Sequence, residues 1–142
     1  IIKNKALPIY GKGKNSREWM HVEDHCKALL LIFLKGKIGE NYNIGSGTNL
    51  RNIDIANKQL KIAKKNYSNI FNKSKIKFVK DRPGHDLRYA IDARKIQTEL
   101  EWGPLEDFDS GLEKTISWYL DNNEWCSNVQ NGNYKYTRLG EI

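Results

Sequence analysis

The chain has 142 residues, a net charge of +7 and a hydrophobic fraction of 39%. A domain has roughly 100–200 residues, so this length is one domain or part of one, with enough buried surface to fold without disulfides or metal. The composition excludes a disordered tail. The longest apolar run, 28–34, is far shorter than the ~20 residues of a membrane-spanning helix. No secretory signal opens the chain, so we expect a cytoplasmic protein that binds no membrane.

The positive charge does not by itself indicate a nucleic-acid-binding surface. Lysines outnumber arginines 18 to 6 and are dispersed among asparagines and isoleucines, which indicates a coding bias rather than a basic face. We therefore expect no nucleic-acid partner, although a basic nucleic-acid-binding module remains an alternative.

Two further features concern the ends and the redox state. The first residue is Ile1 and the single methionine is Met20, so we expect the sequence to begin inside a longer protein. Cys26 and Cys126 lie a hundred positions apart, and this spacing predicts two free thiols in a reducing compartment.

The predicted elements of the first half begin with an extended segment at 5–10 and a glycine-rich turn at 11–15. A helix is predicted over 22–35, with acidic residues in its first turn and Gly36 at its end. The second half of this helix is apolar on nearly every side, which indicates burial in a large core. Residues 40–44 are predicted to form a strand.

In the second half, Asn52 is predicted to cap a helix whose apolar face carries Ile53, Ala56, Leu60 and Ala63. A polar loop at 64–75 and a strand at 75–80 follow, with Ile76 and Phe78 predicted on one face and Lys77 and Val79 on the other. After a proline–glycine turn at 81–85, Asp92 is predicted to cap one helix and the capping box Ser110–Glu113 to begin another. Beyond Asn122 we expect a surface segment. The pattern predicts an α/β fold.

The glycines do not form a recognised nucleotide-phosphate loop. Gly45 and Gly47 follow a predicted strand, but Leu50 stands where the third glycine of G-x-G-x-x-G belongs. The Gly13-Lys14 pair lacks the remaining residues of a Walker loop.

Two other motif matches are interpreted as accidental. His21 and His25 have the i, i+4 spacing of zinc ligands, but no third ligand follows at a short spacing, so we expect no metal site. Tyr10 and Lys14 match Tyr-x-x-x-Lys, the acid–base pair of short-chain dehydrogenases, but a glycine-rich turn cannot hold the helical geometry that this pair needs.

The segment 81–92 is the most informative one. A strand that ends in a proline-stiffened turn supports Arg82 and His85 rigidly, and guanidinium groups bind phosphate oxygens in a bidentate manner. Arg17, beside Trp19, is a second candidate phosphate ligand. The alternative from the residues alone is a turn held by local salt bridges, and the sequence leaves both open.

These residues resemble the dTDP-glucose 4,6-dehydratase family of extended short-chain dehydrogenases. The segment Asp-Arg-Pro-Gly-His-Asp-x-Arg-Tyr-Ala-Ile-Asp at 81–92 is the most selective match. Further matches in the family's order extend the resemblance from about residue 4 to residue 135; they lie at 5–13, 17–19, 22–25, 42–45, 52–54 and 118–120.

The resemblance implies an NAD-dependent lyase that converts dTDP-glucose to a 4-keto-6-deoxy sugar and acts as a homodimer. It further implies that Arg17 and Arg82 bind the pyrophosphate and that the nucleotide pocket is completed by Pro8, Ile9, Tyr10, Asn52, Asp81, Pro83, Gly84 and His85. The family's glycine fingerprint, helical Tyr-x-x-x-Lys pair and elimination acids have no counterpart here. The chain is therefore expected to hold no catalytic residue, to leave NAD mainly to an upstream part, and to be inactive alone.

The same resemblance implies a division of the chain between two lobes. Residues 16–47 are expected to supply the last helix and strand of a Rossmann lobe, while 1–15 and 48–142 build the smaller substrate-binding lobe. Another NAD-dependent nucleotide-sugar epimerase or decarboxylase remains the alternative enzyme.

Overall fold

Two small sheets and five helices form the part of the chain, residues 5–68 and 75–133, that the computed structural model describes. The strands are β1 (Leu7–Tyr10), β2 (Ser16–Glu18), β3 (Asn49–Arg51) and β4 (Ile76–Val79). The helices are α1 (Val22–Lys35), α2 (Asn52–Asn66), α3 (Arg94–Glu99), α4 (Phe108–Asp121) and α5 (Asn123–Asn133).

The sheets join segments that are distant in sequence. Strands β1 and β4 run parallel, with Leu7 opposite Ile76 and Tyr10 opposite Val79. Strands β2 and β3 are antiparallel. Ser16 of β2 also bridges to Arg88, so the segment after the 81–85 turn lies alongside the second sheet.

Helix α1 has the predicted bounds and two apolar faces. Ala28 is fully buried and packs with Ile96 and Trp102, and Leu31 and Ile32 lie against the same cluster. The other face is open: Phe33 is 85% exposed. Its apolar neighbours on that exposed face are Leu29, Leu30, Leu34 and, just beyond the helix, Ile38. A helix that is apolar all round is normally buried on both sides.

A buried carboxylate fixes the start of α1. Asp24 is 2% exposed, and its Oδ2 accepts hydrogen bonds from the main-chain N–H groups of Leu105 (3.1 Å) and Glu106 (2.9 Å). These bonds satisfy the buried carboxylate and attach α1 to the segment before α4.

The predicted strand at 40–44 is wrong, since these residues have no regular secondary structure. A strand requires a hydrogen-bonded neighbour, and within the described residues no strand pairs with this segment. The predicted alternation in β4 is also not observed: Ile76 and Val79 are half-buried, whereas Phe78 is exposed.

Three predicted caps are corrected by the structure. Asn52 is the first residue of α2 rather than its cap, and the capping position is Arg51. The Ser110 capping box is replaced by Asp107, whose carboxylate accepts from the main-chain N–H groups of residues 109 and 110. Asp92 precedes the capping position of α3, which is Ala93, but its carboxylate does accept from the main-chain N–H of Arg94, the first residue of the helix, at 3.0 Å. Only Asp107 therefore replaces a predicted cap with a side-chain cap of its own.

The segment beyond Asn122 differs from the irregular surface chain that the sequence predicts, because α5 occupies 123–133. Trp125 contacts Trp118 of α4 edge to face, and Cys126 is buried, so packing outweighs the poor helix propensity of this composition. The predicted loop at 64–75 overlaps the end of α2, and its residues 69–74, like 134–142, lie outside the described residues. Both cysteines are free, as predicted.

Within the described ranges, no helix combines the length and the apolar character of a membrane span.

Candidate functional site

The two predicted turns meet at the carboxyl ends of the parallel strands β1 and β4. Because Tyr10 lies opposite Val79, both chains leave the sheet at the same edge. The N–H of Gly11 donates to the Val79 carbonyl at 2.9 Å, and this bond extends the ladder into the turn. The glycine-rich turn at 11–13 therefore lies beside the 81–85 turn.

Gly11 allows the two turns to approach closely. Its φ of +54° lies in the left-handed region, and a β-carbon at this position would lie 2.6 Å from Asp81 Oδ2. Both facts favour glycine. The carboxylate of Asp81 occupies the space that a side chain at position 11 would fill.

Asp81 organises the 81–85 turn from within. Its Oδ1 accepts from the main-chain N–H of Arg82 at 2.9 Å and lies 2.7 Å from His85 Nδ1. The hydrogen bond from His85 lowers the pKa of the Asp81 carboxyl, with a smaller contribution from the Arg82 N–H. The His85 side chain is 7% exposed and meets the Tyr10 ring edge to face at 5.9 Å. The contact between His85 and Tyr10 thus packs the turn against β1.

Arg17 of β2 is held by main-chain oxygens and an aromatic ring. Its guanidinium donates to the carbonyls of Ser16 (2.7 Å) and Asp86 (3.0 Å). The guanidinium carbon lies 4.2 Å from the centroid of the Tyr89 ring, within cation–π range. None of these contacts neutralises the positive charge.

The five arginines of the described part divide into two classes. Arg51 forms a bidentate pair with Asp54, and Arg94 forms one with Asp92. Arg17, Arg82 and Arg88 have no carboxylate within salt-bridge distance; the ion pairs of this part of the chain involve Lys37, Arg51, Lys58, His85, Arg94, Lys95 and Lys114. Among the described residues Arg17 and Arg82 therefore form no local salt bridge, whereas the 81–85 turn does contain one, between Asp81 and His85.

Tyr89 contacts one of the two candidate phosphate ligands, Arg17. Its hydroxyl donates to the Asp86 carboxylate. This hydrogen bond raises the pKa of Tyr89, and the positive charges of Arg17 and Arg82 oppose that rise. Tyr89 therefore links Arg17 of β2 to Asp86 in the segment that follows the 81–85 turn.

Asn15 is a site residue that the sequence did not reveal. It is 6% exposed. Its side-chain N–H donates to the Asp86 carbonyl at 3.1 Å, and its main-chain carbonyl accepts from the N–H of Asn52 at 2.9 Å. This one buried residue therefore joins the first turn, the start of α2 and the 86–89 segment. An isolated asparagine in a glycine-rich turn carries no sequence signal for this role, because its partners are distant in the chain.

The predicted pocket residues of β1 and α2 surround the same turn. Pro8 is exposed, whereas Ile9 and Tyr10 are half-buried. A β-carbon on Gly13, whose φ is +67°, would lie 2.7 Å from Ile9 Cγ2. Asn52 is half-buried and is the first residue of α2, so it does not occupy the capping position.

The remaining predicted residues, Pro83 and Gly84, are exposed in the turn between Arg82 and His85. Gly84 has a φ of +63°, and a β-carbon added to it would meet nothing within 4 Å. They shape the turn rather than fill a cavity.

A separate cleft of about 760 Å³ lies between the start of α1 and α4. It is lined by apolar side chains such as Trp19, Phe108 and Trp118, and it includes none of the predicted pocket residues.

Comparison of the sequence with known proteins leads to the same kind of enzyme as the motifs. The sequence profile described as GDP-mannose 4,6 dehydratase matches residues 1–115. A probable dTDP-glucose 4,6-dehydratase of Sinorhizobium fredii is 46% identical over 145 residues, a match that covers 98% of this chain and 40% of the relative. The chain therefore spans about 40% of the length of this curated relative.

Solved structures agree with the fold. The dTDP-glucose 4,6-dehydratase of Bacillus anthracis in complex with NAD matches with a TM-score of 0.75 and 40% identity, covering 87% of this chain and 37% of that one. An epimerase of Methanothermobacter thermautotrophicus matches with a TM-score of 0.76 and 28% identity, covering 89% and 36%. The predicted α/β fold class and the resemblance deduced from the motifs are confirmed.

Proposed function

Because the chain belongs to the GDP-mannose 4,6-dehydratase family, we propose that it is the nucleotide-sugar-binding part of a dTDP-glucose 4,6-dehydratase. The complete lyase converts dTDP-glucose to dTDP-4-keto-6-deoxyglucose by NAD-mediated oxidation, loss of water and re-reduction. The observation that supports this role is that Arg17 and Arg82, the two candidate phosphate ligands, have no carboxylate partner among the described residues.

The diphosphate of a nucleotide sugar is the ligand class that suits these two arginines. A guanidinium group offers planar, paired N–H donors to phosphate oxygens. The main-chain N–H groups at the start of α2 already donate to the carbonyls of Gly13 and Asn15, so recognition relies on side chains. Tyr10 and Asn52 lie at the same turn and are proposed to contact the nucleotide.

Three glycines near the strands, Gly11, Gly13 and Gly45, are closely covered by side chains of this chain. Asp81 occupies the space beside Gly11, and Ile9 and Ile53 occupy the space beside Gly13. A β-carbon on Gly45 would lie 2.5 Å from a carboxylate oxygen of Glu18. These glycines accommodate the chain's own side chains, so we assign NAD to the part of the enzyme outside this chain and no chemical step to these residues.

The exposed face of α1 supports the proposed division into lobes. Residues 16–47 are proposed to belong to the Rossmann lobe, while 1–15 and 48–142 form the substrate lobe. The inner face of α1 packs on Ile96 and Trp102, and the outer face, with Phe33 and Leu34, is open. A helix sandwiched between two layers has this pattern. The complete enzyme is proposed to be a cytoplasmic homodimer with no nucleic-acid partner.

A hybrid enzyme tests the proposed activity. The amino-terminal part of the Bacillus anthracis relative, joined to this chain at the position where the two sequences align, should convert dTDP-glucose to a product lighter by one water. An epimerase would give a product of unchanged mass, and a decarboxylase would release carbon dioxide from an acidic sugar. The same hybrid with Arg17→Ala and Arg82→Ala is the matched control. A hybrid that binds NAD and folds but leaves dTDP-glucose unchanged would refute the assignment.

Binding to the chain itself separates this proposal from a nucleic-acid module. We expect dTDP to bind and an unrelated oligonucleotide not to compete with it. Nucleic-acid binding would fall steeply as the salt concentration rises, and binding of that kind without dTDP affinity would favour the other class.

A further inference from the structure

Tyr89 makes two different contacts beside Arg17. Its ring face lies 4.2 Å from the Arg17 guanidinium carbon, and its hydroxyl donates to the Asp86 carboxylate. The carbonyl of the same Asp86 accepts from Arg17 at 3.0 Å. The ring restrains the guanidinium from its face while the carbonyl restrains it from its edge.

The same contacts leave the positive charge of Arg17 unpaired by the Asp86 carboxylate. Asp86 presents its neutral carbonyl to the arginine, and its carboxylate is bound by the tyrosine hydroxyl. Two main-chain carbonyls use two of the five guanidinium N–H groups. The remaining N–H groups and the full charge are left for a ligand.

We propose that Tyr89 is a positioning residue that orients the Arg17 guanidinium, and keeps it unpaired by the Asp86 carboxylate, for the diphosphate of the nucleotide sugar. This inference rests on the proposed function and extends it to a residue outside the predicted site. Restricting the arginine before the ligand arrives reduces the side-chain ordering that binding would otherwise require.

A comparison within the chain argues against a purely structural role. Tyr42 also carries a cation on its ring, Lys95 at 4.8 Å, and its hydroxyl also bonds a carboxylate, that of Glu99. Tyr42, however, packs against the hydrophobic core. Tyr89 is 51% exposed and contributes little burial. The two tyrosines make the same kinds of contact, and they differ in whether they pack on the core. Tyr42 is therefore a matched control.

The test measures the affinity of the complete 142-residue chain for dTDP and for thymidine by calorimetric titration. Tyr89→Leu should weaken dTDP binding about twofold to fivefold, the range of an exposed cation–π contact, and leave thymidine binding unchanged. Tyr89→Phe keeps the ring but releases the Asp86 carboxylate, so it should cause a smaller loss of dTDP affinity than Tyr89→Leu. Tyr42→Leu should lower the melting temperature without a selective loss of dTDP affinity.

A double-mutant cycle decides whether Tyr89 acts through Arg17. In an Arg17→Ala background, Tyr89→Leu should cause no further loss of dTDP affinity, because the group that it positions is gone. An equal loss in both backgrounds, or no loss in either, would overturn the positioning role while dTDP binding by the unchanged chain upholds the proposed function. If the unchanged chain does not bind dTDP, both are overturned.

Discussion

Gly11 and Asp81 lie so close together that a β-carbon on Gly11 would be 2.6 Å from the Asp81 Oδ2 atom. The two residues belong to turns at the ends of different strands, and this contact fixes how the turns fit. Because Asp81 also binds His85 and the Arg82 N–H, moving its carboxylate aside would break the hydrogen bonds that shape the 81–85 turn.

Gly11→Ala should therefore destabilise the protein and weaken dTDP binding. The positive φ alone costs roughly 1–2 kcal/mol for a residue with a β-carbon, and the clash with Asp81 adds to this. Gly47→Ala is the control, since Gly47 has a φ of +75° but nothing within 4 Å of the new atom. Urea denaturation of both variants measures the difference. Equal losses of stability would show that the carboxylate moves aside freely.

Arg82→Ala in the hybrid enzyme should raise KM for dTDP-glucose and leave kcat comparatively unchanged. The diphosphate is remote from the reacting sugar carbons, so its contact is equally strong in the ground and transition states. A hydrogen bond to a charged partner contributes about 1.5–3 kcal/mol, which corresponds to roughly 10- to 150-fold in KM. Arg82→Lys should recover part of the loss because it keeps the charge without the planar fork.

Arg94→Ala is the matched control for that measurement, because Arg94 is paired with Asp92 and is not in the predicted site. Its KM should remain near that of the unchanged hybrid. If Arg82→Ala lowers the melting temperature and leaves KM within about twofold, Arg82 supports the turn and does not bind the pyrophosphate.

The Asp92–Arg94 pair makes a pH-dependent contribution to stability. Hydrogen bonds from Arg94 lower the pKa of Asp92 from 3.8 to about 2. Because the folded-state pKa is the lower one, the contribution is complete above pH 3.8 and is lost as the pH falls through about 2. NMR titration of the Asp92 carboxyl should give the lowered midpoint, and Arg94→Ala should return it toward 3.8. A normal midpoint in the unchanged chain would show that the pair is open in solution.

The exposed face of α1 should bind a hydrophobic dye in the isolated chain. Contiguous apolar patches have this property, whereas single exposed side chains do not. Phe33→Glu should reduce dye fluorescence strongly. Leu105→Glu, at a position that is 81% exposed compared with 85% for Phe33, should change it little. A sharp, cooperative melt of a monomeric chain that binds no dye would contradict the proposed packing of this face against the rest of the Rossmann lobe.

The sequence was most informative where local signals and packing agree. Helix α1 has its predicted bounds because acidic residues begin it, Gly36 ends it and apolar residues fill it. The 81–85 turn follows from Pro83 and Gly84. The strand expected at 40–44 failed because strand formation depends on a neighbour, and α5 was missed because its stability comes from contacts such as Trp118 with Trp125.

The site was predictable as a set of segments but not as a network. Arg17 and Arg82 were singled out from the residues that surround them. The roles of Asn15 and Tyr89 depend on partners that only the fold brings near; Asn15 and Asp86, for example, are 71 positions apart. The motif at 81–92 contains Tyr89, yet nothing local to it indicates a guanidinium from β2.

The parallel pairing of β1 with β4 has a consequence for how the protein folds. Tyr10 meets Val79 only after the intervening chain has closed a long loop. The entropy cost of closing this loop comes before the contact can stabilise the chain. Contacts of such high sequence separation slow folding. During synthesis β1 leaves the ribosome well before β4 exists, so its edge stays unpaired and open to non-native association. A ligand that binds across both turns would favour the closed loop over every earlier state, so adding it during refolding should raise the yield of native protein.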